Sequence, residues 1–139
     1  MGSEIYDVKI TIGNDQDNIV LAYATKVTSK KNKDTSTTLT FDGDVNTSAK
    51  NTGGTISIER LAWPSSVEEA VRLESLLEAD IIKTVTCTGT AYTANGDMYK
   101  KQIIGTQVIV NSDEEEWSPS DGVTQKLELG VNRLQRINE

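Results

Sequence analysis

A chain of 139 residues is long enough for one domain with one core and too short to need two. A formal charge of −7 excludes a surface that works by neutralising phosphates, which needs clustered Lys and Arg. With no histidine and a single cysteine, Cys87, the usual general base, the usual metal ligand and any internal disulfide are missing together.

Met1-Gly2-Ser3-Glu4 has no basic segment leading into an apolar run, and no stretch reaches membrane-spanning length, so the expectation is a protein made and kept in the cytoplasm, without membrane insertion. Few aromatic residues are available, so the core must come from Val, Ile and Leu. In the first segment Tyr6, Val8, Ile10 and Ile12 alternate with Asp7, Lys9 and Thr11, a period of two that predicts a strand over 5–12. Gly13 to Asn18 has turn composition, and a partner strand with Ile19, Leu21, Tyr23 and Val27 on one side completes a hairpin. Ser29 to Asp34 reads as an exposed polar loop carrying Lys30, Lys31 and Lys33.

A short third strand over 37–41 precedes Asp42 to Gly54, which has almost no apolar side chains and reads as a long loop; such an excursion in a compact domain binds something or moves. The fourth strand, 55–61, turns Ile56 and Ile58 inward and stops at Trp63-Pro64, because proline has no amide hydrogen for the ladder. Ser65-Ser66-Val67-Glu68 fits a capping box and opens a helix over about 65–79, with Val67, Ala70, Val71, Leu73 and Leu77 on one side. A fifth strand over 81–92 puts Val85 and Cys87 on one face and a row of threonines on the other. Asn95-Gly96 marks a tight turn into a strand over 99–110, where Val108 and Val110 fall on one side and Ile103 and Ile109 on the other, as if both faces were covered. Asp113, Glu114, Glu115 and Glu116 open an acidic loop running to Gly122, and a last strand carries Val123, Leu127, Leu129 and Val131.

Catalysis finds little footing in these residues. Two carboxylates become an acid and a base only where their surroundings split their pKa values, and Asp and Glu in polar loops lack that. Cys87 without histidine or a cationic neighbour is a core thiol rather than a nucleophile. Asp42, Asp44, Asn46 and Ser48 resemble the start of a calcium loop, but Thr47 stands where the glycine belongs and Gly53 where the closing acid belongs. Gly53-Gly54 has no lysine after it, so no phosphate loop is present and no cofactor is expected. Trp63 and Trp117 leave open a carbohydrate-binding or adhesin-type β sandwich. Lys30, Lys31 and Lys33 on one copy can meet Asp113 to Glu116 on the next, and head-to-tail matching of that kind builds rings or filaments.

The order of these parts resembles a bacteriophage tail tube protein, a family that shares its architecture with contractile injection system tubes and Hcp subunits. The matching elements are the opening hairpin, the polar segment 42–54, the strand Gly54 to Leu61, the single helix, the hairpin at Asn95-Gly96 and the late strand-loop-strand ending at Leu129-Gly130. The resemblance implies a mainly β domain over 1–139, a β sandwich or partial barrel with one flanking α-helix. It implies a non-enzymatic structural subunit of hexameric rings that stack around a channel for DNA, which passes without specific binding. Tape-measure, tail-terminator and baseplate or tail-tip proteins are the implied partners, and the virion tail the implied location. Asp42, Asp44, Asn46, Lys50 and Asn51 would then belong to the loop that reaches the adjacent ring.

Overall fold

The computed structural model describes residues 5–14, 18–39, 45–78 and 82–139. Among them are seven strands and one helix: β1 Tyr6–Gly13, β2 Asn18–Leu21, β3 Ala24–Leu39, β4 Val45–Leu61, α1 Val67–Glu78, β5 Thr84–Tyr92, β6 Met98–Ser118 and β7 Gly122–Asn138. The strands form one antiparallel sheet in the order β2-β1-β5-β6-β7-β4-β3.

That order carries a geometric consequence. β2 and β3 follow one another in the chain but stand at opposite ends of the sheet, joined only by Ala22 and Tyr23. A two-residue link spans less than about 10 Å, so the sheet must curl until its two ends face each other. The result is the expected mainly β sandwich or partial barrel. Tyr23 makes the crossing with φ of 60°, a left-handed conformation that breaks what the sequence suggested as one strand over 19–27.

The core is the inside of this curl. Ile10 and Ile12 of β1, Val85 and Cys87 of β5, Ile56 and Ile58 of β4, and Leu127, Leu129 and Val131 of β7 are all buried, each set at the strand period of two. Helix α1 closes one end with Leu73, Leu76 and Leu77.

Several expectations are corrected. Residues 45–54 are not loop: β4 begins at Val45, and β3 pairs with it as far as Leu39 opposite Val45. The composition there is polar, and this ribbon is paired on one side only, β7 meeting β4 no further than Gly54. Gly53 sits at the junction with φ of +95°, where a Cβ would fall 2.4 Å from the Val131 carbonyl oxygen. The supposed polar loop 29–34 lies within β3, and Asp113 to Glu116 lie within β6, paired with Thr124 to Leu127 of β7; the turn proper is residues 119–121.

β6 is not covered on both faces either. Gln107 has φ of 53° and shifts the alternation by one residue, so Ile103 and Val108 both point to the core while Ile109 is exposed. Close approach at this fold of the sheet needs Gly105, whose missing Cβ would meet the Val131 side chain at 2.6 Å. In the helix the capping box sits one residue later than expected. Ser66 caps the Glu69 amide at 3.2 Å, and the Glu69 carboxylate accepts from Ser65 N at 3.2 Å and from the Ser65 hydroxyl. The buried side is Leu73, Leu76 and Leu77, which leaves Val67 and Val71 outside.

Candidate functional site

Besides β2, which ends the sheet on one side, two long stretches of strand edge are open among the described residues, and these two are the candidate site. One is β3, the last strand in the order, which pairs with β4 on one side only. The other is the second half of β6. β5 pairs with β6 as far as Thr84 opposite Thr106, and the amides of Gln107 and Val108 then bond the Lys83 and Ile82 carbonyls at 2.8 and 3.1 Å. Beyond that point β6 runs on to Ser118 paired with β7 alone. An unpaired edge exposes a row of amide and carbonyl groups that template another strand.

β6, β7, β4 and β3 are neighbours in that order and each is antiparallel to the next. An even number of alternating strands leaves the two edges running in opposite senses, so β3 of one copy can pair antiparallel with β6 of another and continue the sheet. The charges agree with that pairing. Lys26, Lys30 and Lys31 lie on β3, while Asp113, Glu114, Glu115 and Glu116 lie exposed on the free stretch of β6. Within one chain the two groups are kept apart by β7 and β4.

Of the other residues singled out in sequence, Lys33 stands opposite Asn51, Asp34 opposite Lys50 and Thr38 opposite Asn46, all on the ribbon of β3 and β4 that runs beyond the sheet. Asp42 and Asp44 lie outside the described residues. Sequence reasoning missed that 33–39 belongs with this segment. The signal was the Thr- and Ser-rich run Thr35-Ser36-Thr37-Thr38, in which threonine favours a strand.

Cys87 is buried, and burial pushes its thiol up to about 11. The described residues contain no group of three or more acids or thiols arranged to hold a metal ion, and no described helix is long and apolar enough to cross a membrane. Trp63, 70% exposed, packs its ring 5.3 Å from that of Tyr23, and Trp117, 79% exposed, donates from Nε1 to Glu115 at 2.8 Å. Both tryptophans are at the end of the sheet where β6 turns into β7: Trp117 pairs with Val123, whose carbonyl accepts from the amide of Ala62, the residue before Trp63.

The whole chain superposes on known tube assemblies. A chain of the PVC sheath-tube complex, an extracellular contractile injection system in its extended state, matches with a TM-score of 0.65 over 99% of this chain and 93% of that one, at 12% identity. This chain has the tail-tube fold. The anti-feeding prophage tube-terminating cap matches with a TM-score of 0.65 at 11% identity, over 100% of this chain and 93% of that one. The SPP1 tail tube matches with a TM-score of 0.54 at 11% identity, over 96% and 77%. No family model and no curated protein matches the sequence, in keeping with a tail-tube fold reached at such low identity.

Proposed function

We propose that this chain is the repeating, non-enzymatic subunit of a tail or injection tube. Copies join edge to edge into hexameric rings, and rings stack around a channel through which DNA passes without specific binding. The observation that carries the reading is the pair of open edges: opposite in direction, opposite in charge, and separated by a four-strand unit that repeats without change of sense. Joined around a ring they make one continuous barrel. On such a seam Lys30 of one copy faces the acids of β6 on the next, while the paired ribbon of β3 and β4, with Asn46, Lys50 and Asn51, reaches toward the neighbouring ring.

The likeness to a sheath-tube complex, a tube-terminating cap and a baseplate supports terminator and baseplate proteins as partners and the virion tail, or the body of an injection device, as the location, and a tape-measure partner goes with a tube of this kind. Synthesis in the host cytoplasm goes with that reading. Negative-stain microscopy with mass photometry tests it directly. Rings or tubes are expected, and Lys30→Glu should weaken them while Lys30→Glu with Glu116→Lys restores them. A strictly monomeric mass at high concentration, with no rings in the images, overturns the proposal.

A second reading, a carbohydrate-binding or adhesin-type sandwich, draws on the exposure of Trp63 and Trp117. Glycan binding abolished by Trp117→Ala would favour it.

A further inference from the structure

Two surface features are left over once the strand edges are assigned, and they are complementary. The first is a cavity of about 380 Å³ at the unclosed seam between β1 and β3. Its floor is apolar, with Val8, Val27, Cys87 and Ile103, and its rim carries Lys101 and Arg136. Among the described residues these cations have neutral partners: Lys101 Nζ donates to Asn138 Oδ1 at 2.8 Å, and Arg136 donates to Ser29 Oγ at 2.9 Å and to the Ser29 carbonyl at 2.8 Å. An apolar hollow of this size whose rim cations meet only neutral partners among the described residues suits something apolar and acidic.

The second feature is the outer face of α1. Val67 is 80% exposed and Val71 59%, four residues apart and therefore one turn above another on the same face. Glu74 and Glu78 continue that face, and the helix holds four glutamates against one arginine. The helix borders the open edge of β6, because Glu74 lines one surface cleft with Glu115 of that strand. Loss of water contact and the negative charges of Asp113, Glu78 and Glu115 hold the Glu74 carboxyl above its ordinary value. A cation brought against this face would relieve that repulsion.

The pocket lies beside the free edge of β3 and the helix beside the free edge of β6, so pairing those edges between copies also brings pocket and helix together. We propose that the pocket seats helix α1 of a second copy, Val67 and Val71 covering its apolar floor and Glu74 and Glu78 meeting Lys101 and Arg136 at its rim. This rests on the edge-to-edge ring proposed above and adds a second layer of contact behind the strand seam.

The test uses the full chain carrying Cys87→Ala, Val71→Cys and Lys101→Cys. Mild oxidation of assembled protein should give a covalent ladder beyond dimer on a non-reducing gel, with each single-cysteine control stopping at dimer or below. In a separate arm, Lys101→Glu should raise the concentration for half-assembly by about tenfold, and Glu78→Lys in the same chain should bring it back. Rings that form normally without a ladder, or with a half-assembly concentration indifferent to Lys101→Glu, overturn the docking and leave the tube subunit standing. Absence of rings altogether overturns both. Native mass spectrometry that finds a small amphiphile held in the pocket of assembled rings would also overturn the helix as its occupant.

Discussion

Arg60 donates from Nε to Oε1 of Gln125 at 2.9 Å, an interaction between β4 and β7 buried beneath helix α1. Gln125 passes the link on, its amide donating to Asp113 Oδ1 at 2.9 Å on β6. Burial pulls the guanidinium below its ordinary value, and Glu69, Asp113 and Glu115 pull it back up. Removing the amide leaves a buried charge short of a partner. Gln125→Leu should cost about 1–3 kcal/mol in urea unfolding, and Arg60→Met added to it should recover part of the loss. A double variant less stable than the single would refute the coupling.

Glu74 gives a pH dependence with a definite sign. Its folded pKa lies above its unfolded value, so its contribution to stability is full below the unfolded pKa and is lost as pH rises through the folded one. Glu74→Gln should therefore stabilise the monomer more at neutral pH than under acid conditions. Thermal unfolding across that range checks it, and equal gains at both ends would contradict it.

The ribbon of β3 and β4 has no pairing with the rest of the sheet beyond Gly54. Replacing residues 34–50 with a short turn should leave unfolding of the domain unchanged and rings intact, while tubes fail to elongate. Microscopy of the variant decides; tubes of normal length would remove the stacking role from Asp42, Asp44, Asn46, Lys50 and Asn51.

Ser66, not Ser65, caps α1, so Ser66→Ala should cost about 1 kcal/mol by loss of its bond to the Glu69 amide. Ser65→Ala acts differently, through Glu69. The Ser65 hydroxyl and then its amide hold the Glu69 carboxyl below its ordinary range, so the stability tied to it is present above the unfolded pKa and fades as pH falls through the folded one. Chemical unfolding of both variants at neutral and acid pH separates the two roles.

How much was legible in the sequence can be read from particular segments. Ile56 and Ile58, or Val85 and Cys87, declare a strand by local alternation because each has one wet and one buried face. Residues 45–51 do not, since this part of β4 pairs with β3 alone and its composition looks like loop. The uniform acidity of Asp113 to Glu116 hid a strand in the same way. Gln107 misled for another reason: a single left-handed residue shifts the alternation, so Ile103 and Ile109 looked like one apolar face when only Ile103 is inside.

By itself the sequence determined the class of the domain, the strands with a buried face and helix α1, because these follow from periodicity and residue chemistry within a few positions. Only the tertiary structure decided which edges stay open. Strand order is set by pairings between residues far apart in the chain, and the two-residue crossing at Ala22 and Tyr23 sends β3 to the far end of the sheet. That placement puts lysines on one free edge and carboxylates on the other, a relationship no local pattern contains.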